Sequence, residues 1–385
     1  MEALDVEPWV DKNTARYFLN QIVHLSEPGN EQSTAPRQIF TTPAFTAWVN
    51  TCEMAPLAYW ALRQTMPVWA EQFREPYYAA GAESSLREAA IGAVSQAFLE
   101  KKLILVLLKG AALSMTVYPD PGLRLMSDID IWMPGEQMPT AVQAMATLGY
   151  VTPENTERPL AMQQLFQGEI QFVQAQGLLG LVELHWSPFP GWWLMRTAAV
   201  DDSAIWQRLE LVDRGNWQFF QMSPEDMVIH VAVHISVNHQ FDLYTIRSLV
   251  DIALTAQQRD VDWPLVAERA KTWRVATAVY TVLNLADQLI GIDGLSQALS
   301  TWQPPSLRQR LLRQFVTPES ILAGHDISAG WQRFMLLLLL VDRKRDMAKL
   351  ILRTLWPEPA WLQARYGENI GHIKHIWRMI RRKKI

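Results

Sequence analysis

A chain of 385 residues exceeds what one ordinary core organises, and 49% hydrophobic against 19% charged residues excludes a disordered polymer. The single cysteine, Cys52, excludes an intrachain disulfide framework and no Cys/His set of zinc spacing occurs, so a reducing, cytoplasmic setting is expected. Net charge is −4, yet residues 371–385 carry Lys374, Arg378, Arg381, Arg382, Lys383 and Lys384 without an acid, a solvated basic tail that also suits an anionic partner.

Glu2, Asp5, Glu7 and Asp11 precede any apolar run, which is unlike a secretory signal. Residues 1–83 read as an N-terminal helical region broken by Pro28, Pro36, Pro43, Pro56 and Pro67, with a polar loop from Glu27 to Gln38. Leu86, Ala90, Val94 and Phe98 predict a helix from Ser84 to Glu100. Leu103 to Leu108 is apolar on both faces, as in a strand inside a sheet, and Lys109-Gly110 closes it. A helix-compatible stretch to Val117 and a turn at Tyr118-Pro119-Asp120-Pro121-Gly122 lead to a second strand, Asp128 to Met133. A helix at about 137–148 and strands at 171–174 and 181–186 complete a mixed α/β or α+β domain over residues 84–200. Ser223-Pro224-Glu225-Asp226 is a capped helix start, followed by amphipathic segments at 224–239, 243–257, 263–272, 275–290, 327–355 and 368–382. Residues 201–385 therefore read as a helical C-terminal domain ending in the basic tail. The most apolar run, Phe334 to Val341, stops at Asp342-Arg343-Lys344-Arg345, short of the roughly 20 residues a membrane-spanning helix needs.

Alternate residues of a strand share a face, so Asp128 and Asp130 project together while Ile129 and Ile131 face the core. Like charges so placed repel unless water or a cation joins them, and hard divalent cations prefer such oxygen ligands. Magnesium, or manganese in its place, is the expected cofactor. Glu183, a lone acid in the apolar strand Leu181-Val182-Glu183-Leu184-His185-Trp186, completes a candidate triad able to serve phosphoryl or nucleotidyl transfer. Against this stands the plain reading of two acids on a solvated strand face. The helix opening at Lys109-Gly110 offers N–H groups to phosphate, with Lys109 and Arg124 as candidate phosphate cations.

Leu108-Lys109-Gly110, Tyr118 through Arg124, Ser127-Asp128-Ile129-Asp130 and Glu183-Leu184-His185-Trp186 together resemble the uncharacterised nucleotidyltransferase family of bacteria, a branch of the DNA-polymerase-beta-like superfamily. The motifs span about 80 residues, and the stretch through Asp226, His230, His234, His239 and Asp251 is also similar. The resemblance implies an α+β nucleotidyltransferase fold: a small mixed palm-like sheet with flanking helices, then a helical domain. It implies metal ligation by Asp128, Asp130 and Glu183 and nucleotide contacts at Lys109, Gly110, Arg124 and Ser127. The chain departs from the wider superfamily where Gly-Ser opens the phosphate helix, because Lys109-Gly110-Ala111 carries no serine hydroxyl.

His230 and His234 share a helical face and His239 follows, but without the HExxH glutamate, so packing is the expected role. His185 shares the face of Glu183, where orienting that carboxylate, contacting phosphate and lining the cleft all remain open. No GxxxxGK[ST], GxGxxG or GxSxG motif occurs. The leading expectation is magnesium-dependent transfer of a nucleoside monophosphate from an NTP, ATP among them, to an unidentified acceptor, with release of pyrophosphate. Sugar phosphate, peptide, protein and RNA are the open acceptor classes. Competing readings are an inactive or weak NTP-binding regulator on the same fold, and a metal-dependent hydrolase built on the three histidines.

Overall fold

The computed structural model describes residues 10–24, 42–153, 168–174, 181–324, 327, 330–367 and 370–381. The predicted Glu27–Gln38 loop and the basic residues Arg382, Lys383 and Lys384 lie outside them. The architecture is α+β: one seven-stranded mixed sheet with helices around it and a helical C-terminal region. In chain order the strands are β1 (Val106–Leu107), β2 (Asp128–Trp132), β3 (Tyr150–Val151), β4 (Glu169–Gln174), β5 (Leu181–His185), β6 (Glu210–Asp213) and β7 (Gln218–Gln221). Their spatial order is β3-β4-β5-β2-β1-β7-β6.

The short β1 is an interior strand, antiparallel to β2 and parallel to β7. The predicted Leu103–Leu108 strand narrows to two residues because the chain leaves the preceding helix through Lys102, at φ 58°, and enters the next at Lys109. Its hydrogen bonding still reaches one residue further each way, from Phe220 N–H to Leu105 O (2.7 Å) and from Leu108 N–H to Asp130 O (3.0 Å). β2 runs parallel to β5, which is antiparallel to β4. The sheet continues past residue 200: β6 and β7 form a hairpin whose turn passes through Gly215 at φ +82°, and β7 docks on β1. Sequence reasoning placed this stretch in the helical half.

The helix predicted from Ser84 starts at Arg74 and runs 27 residues to Glu100; Pro76 is tolerated because it lies in the first turn. The single helix predicted over 327–355 is two, Gly330–Leu339 and Lys344–Leu355. The break has a cause: the Asp342 carboxylate accepts hydrogen bonds from the backbone N–H groups of Ala276 and Thr277, both at 2.8 Å, and so caps the Ala276–Leu289 helix. The helix predicted from 224 to 239 holds, but its last five residues, His234–Asn238, wind as a π-helix. The N-terminal Lys12–Val23 helix packs on the Thr245–Gln258 and Ala276–Leu289 helices of the C-terminal half. Buried apolar side chains from Val10 to Leu350 form one continuous cluster. Among the described residues no helix is long and apolar enough to cross a membrane.

Candidate active site

The β2 residues Ile129 and Ile131 are buried, which turns Asp128 and Asp130 to the opposite face. On that face the parallel register sets Asp130 directly beside Glu183, and the antiparallel β4–β5 register sets Gln171 beside Glu183 and Glu169 beside His185. Polar side chains from three adjacent strands thereby floor a cavity of about 550 Å³. Helical residues close it, including His234 and Asn238 from the π-turn and Thr245, Arg247 and Ser248 from the following helix. A π-turn widens the helix by one residue per turn, and such turns recur where side chains must be re-aimed into a site.

Asp130 is the hub. It is 4% exposed, and its Oδ1 accepts hydrogen bonds from Lys109 Nζ at 2.9 Å and His185 Nε2 at 2.8 Å. Burial alone would raise its pKa, but the Lys109 ammonium and the His185 hydrogen bond outweigh burial and hold the carboxyl far below its usual range. His185, 1% exposed, is pushed up to about 9 because Asp130 and Glu183 overcome its desolvation. Its Nε2 lies 3.5 Å from Glu183 Oε2, and its Nδ1 lies 3.6 Å from Glu169 Oε2. Glu183 accepts from Gln171 Nε2 at 2.7 Å, and despite burial its carboxyl is held low, chiefly by His185. Asp128 behaves oppositely. Burial and the charge of Asp130 raise its carboxyl, although Ser127 Oγ donates to its Oδ1 at 3.2 Å.

Lys109 reaches Asp130 from an uncommon backbone: φ is +45°, the left-handed region that costs a side-chain-bearing residue energy. Burial would discharge the ammonium, but Asp130, then Asp128, hold it charged. At Gly110 the close approach is made by side chains, since a Cβ there would meet Met126 Cγ at 3.2 Å and Arg124 Cζ at 3.4 Å. Arg124 lines the cavity but is committed to Asp251. Its Nε and Nη2 donate to the two carboxylate oxygens at 2.8 Å each, its Nη1 donates to Leu125 O, and Tyr118 OH donates to Asp251 Oδ1 at 2.7 Å.

Of the residues expected from sequence, Lys109, Gly110, Arg124, Ser127, Asp128, Asp130, Glu183 and His185 all border this cavity. Among the described residues, Asp130, Glu183 and His185 form a group that could hold a metal, their ligand atoms all within 4.8 Å of one another; Asp128 stands outside it. The histidine trio does not form a ligand set. His230 is 2% exposed with neither ring nitrogen bonded, and burial depresses it to about 3, so it is neutral packing against Phe189. His239 is paired with Asp242 through Nδ1 at 2.6 Å. Sequence reasoning missed Glu169 and Gln171, although the alternation Glu169-Ile170-Gln171-Phe172 marks one polar strand face. It also missed Thr245, Arg247 and Ser248, for which no local motif exists.

Fold and site together define an α+β protein with a carboxylate-lined, metal-capable cleft between a mixed sheet and a helical half. The chain belongs to the uncharacterised nucleotidyltransferase family, whose model matches residues 40–291. That span covers the whole cavity lining, from Lys109 to Asp251. No curated protein matches the chain.

Proposed function

We propose that the protein is a metal-dependent nucleotidyltransferase of the DNA-polymerase-beta-like type, moving a nucleoside monophosphate from an NTP to an acceptor and releasing pyrophosphate. The observation that carries this reading is the register of β2 and β5, which pairs Asp130 with Glu183 at the floor of the cavity with Asp128 two residues before on the same face. The donor set fits a divalent cation. Carboxylate oxygens suit magnesium or manganese, and Asp128, Asp130 and Glu183 all border the cavity, where Lys109 is paired with Asp130. Asp130 and Glu183, with Asp128 at their side, would hold the metal, which when bound neutralises phosphate charge and activates the attacking oxygen.

The chain's own groups do the rest. His185 stands under Asp130 and Glu183 and fixes both carboxylates by charge and hydrogen bonding. Gln171 anchors the second oxygen of Glu183. Paired with Asp130 across the β2–β5 register and hydrogen-bonded to Gln171, Glu183 is placed for ligation. In the reaction the acceptor oxygen would bond to the α-phosphorus as its proton passes to water, the bond from the α-phosphorus to the α,β-bridging oxygen would break, and pyrophosphate would leave with that oxygen and the electron pair.

Alanine variants of Asp128, Asp130 and Glu183 test the assignment: magnesium-dependent NTP binding and release of pyrophosphate should both be lost with the fold intact by circular dichroism. Unchanged activity in the Asp130 variant would sink it. A second reading, an NTP-binding regulator without turnover, is favoured by one observation: Ala111 offers no hydroxyl at the helix that would receive phosphate. Tight NTP binding without pyrophosphate release, across sugar phosphate, peptide, protein and RNA acceptors, would select it.

A further inference from the structure

The helical part of the cavity lining has buried polar side-chain atoms without hydrogen-bond partners. Thr245 is 1% exposed and its Oγ1 has no hydrogen-bond partner; Arg247 is 7% exposed and its Nε has none. Both line the cavity, beside Ser248, from the first turn of the 14-residue Thr245–Gln258 helix, which no side chain caps. Burying a hydroxyl and a guanidinium nitrogen without partners costs free energy, and such groups are ordinarily satisfied. The positive end of a helix beside an arginine and two hydroxyls suits a phosphate group.

The other cations of the cavity are spoken for. Lys109 serves Asp130, and Arg124 is taken up on both edges by Asp251 and by Leu125 O. Arg247 keeps its head on Glu53 through Nη1, with its guanidinium over the Tyr244 ring at 5.1 Å, and its Nε is left without a partner in a residue that lines the cavity. The acids of this wall already have partners: Asp251 is ion-paired with Arg124 and accepts from Tyr118 OH, and Asp242 is hydrogen-bonded to His239 and to the Tyr244 N–H.

We propose that Thr245, Arg247 and Ser248 form a phosphate subsite that supplies, from the helical half, the hydroxyl and charge contacts missing at Lys109-Gly110-Ala111. This rests on the nucleotide-handling reading of the cavity. The phosphate is the tail of the triphosphate or a phosphate carried by the acceptor, and the same chemistry receives either.

Titration calorimetry on the full-length protein with magnesium and pyrophosphate, inorganic phosphate, ATP or AMP tests it, using Thr245→Val and Arg247→Gln. Both variants should weaken pyrophosphate and ATP at least tenfold and leave AMP within twofold, which assigns the triphosphate tail. Weakened inorganic phosphate with unchanged ATP assigns an acceptor phosphate instead, and also supports the subsite. Thermal melting supplies a second readout. Removing an unpartnered buried hydroxyl relieves its desolvation, so Thr245→Val should melt at or above the wild-type temperature while binding phosphate worse. The proposal is overturned if neither variant weakens any phosphate probe, if the wild type binds neither phosphate nor pyrophosphate, or if Thr245→Val melts lower and loses AMP equally. Pyrophosphate binding through these residues without nucleotide transfer leaves the subsite standing and removes the transferase. Transfer with unchanged KM in both variants does the reverse.

Discussion

Replacing Asp251 by alanine leaves the Arg124 guanidinium and the Tyr118 hydroxyl without their shared acceptor. The two ion-pair side chains are 8% and 2% exposed, so water cannot take the carboxylate's place. Removing one partner of a buried pair costs about 3–5 kcal/mol, because the survivor stays desolvated and charged. With an unfolding entropy of about 2.1 cal/mol/K per residue, a chain of 385 residues should lose about 5 °C of melting temperature. Differential scanning calorimetry on Asp251→Ala measures this. The paired variant Arg124→Met/Asp251→Leu, which removes both charges and keeps volume, should recover most of the loss. The same experiment settles which job Arg124 performs. A strut shows its effect in stability, with NTP affinity of the paired variant within severalfold of wild type. A melting loss below about 1 °C for Asp251→Ala, together with a tenfold fall in NTP affinity for Arg124→Met, would refute the structural role worked out above and return Arg124 to the phosphate.

Gly110→Ala should cost about 1 kcal/mol, the low end for overpacking, because the closest atoms belong to the flexible Met126; adding Met126→Ala should restore the melting temperature. Lys109→Met removes the ammonium that neutralises Asp130, so melting in EDTA should fall by several degrees, and saturating magnesium should shrink the deficit by binding the freed carboxylates. His230 gives a pH signature. Its folded pKa, about 3, lies below the unfolded value near 6.5, so between these limits the unfolded chain binds a proton the folded one refuses. Its contribution is fully present above about pH 6.5 and is lost at about 1.4 kcal/mol per unit as pH falls toward 3. Chemical denaturation of wild type and His230→Phe from pH 7.5 to 4.5 should show the variant gaining relative stability as pH drops; parallel curves would exclude a neutral buried His230.

Local patterns announced what local physics decides. Asp128-Ile129-Asp130 and Leu181-Val182-Glu183 were legible because strand alternation sorts acids from apolar residues residue by residue, and the in-register pairing of Asp130 with Glu183 needed only that the two strands be neighbours. The helix Trp263–Thr272 matched its predicted bounds because the cap at Asp262 and the apolar spacing agree. What could not be read is set by partners distant in sequence. Arg124 looked like a phosphate cation until Asp251, 127 residues away, claimed it. The long 327–355 helix broke because Asp342 caps a helix 65 residues earlier. The β6–β7 hairpin stayed hidden because a single pairing with β1, formed across more than a hundred residues, makes it part of the sheet.

Separation in sequence also explains why the carboxylate face is not a site by itself. The sheet contributes acids to the floor: Asp128 and Asp130 from β2, Glu183 from β5 and Glu169 from β4. Left together they would repel and lose their charge by protonation. Positive charge reaches them from Lys109, aimed by a left-handed backbone just past β1, and from His185, which holds its proton only because two carboxylates surround it. The remaining arginines, Arg124 and Arg247, line the cavity; Arg124 is spent on Asp251, and Arg247 is paired with Glu53 through Nη1 but keeps an unpartnered Nε. On the proposed reading a polyphosphate with its cation would answer both halves at once: the metal would join the acids, and the phosphates would meet the arginine and hydroxyls of the helical lining. Neither half offers that complement alone, so the chemistry belongs to the cleft between them, and an Asp-Ile-Asp strand gains its meaning from a helix more than a hundred residues downstream.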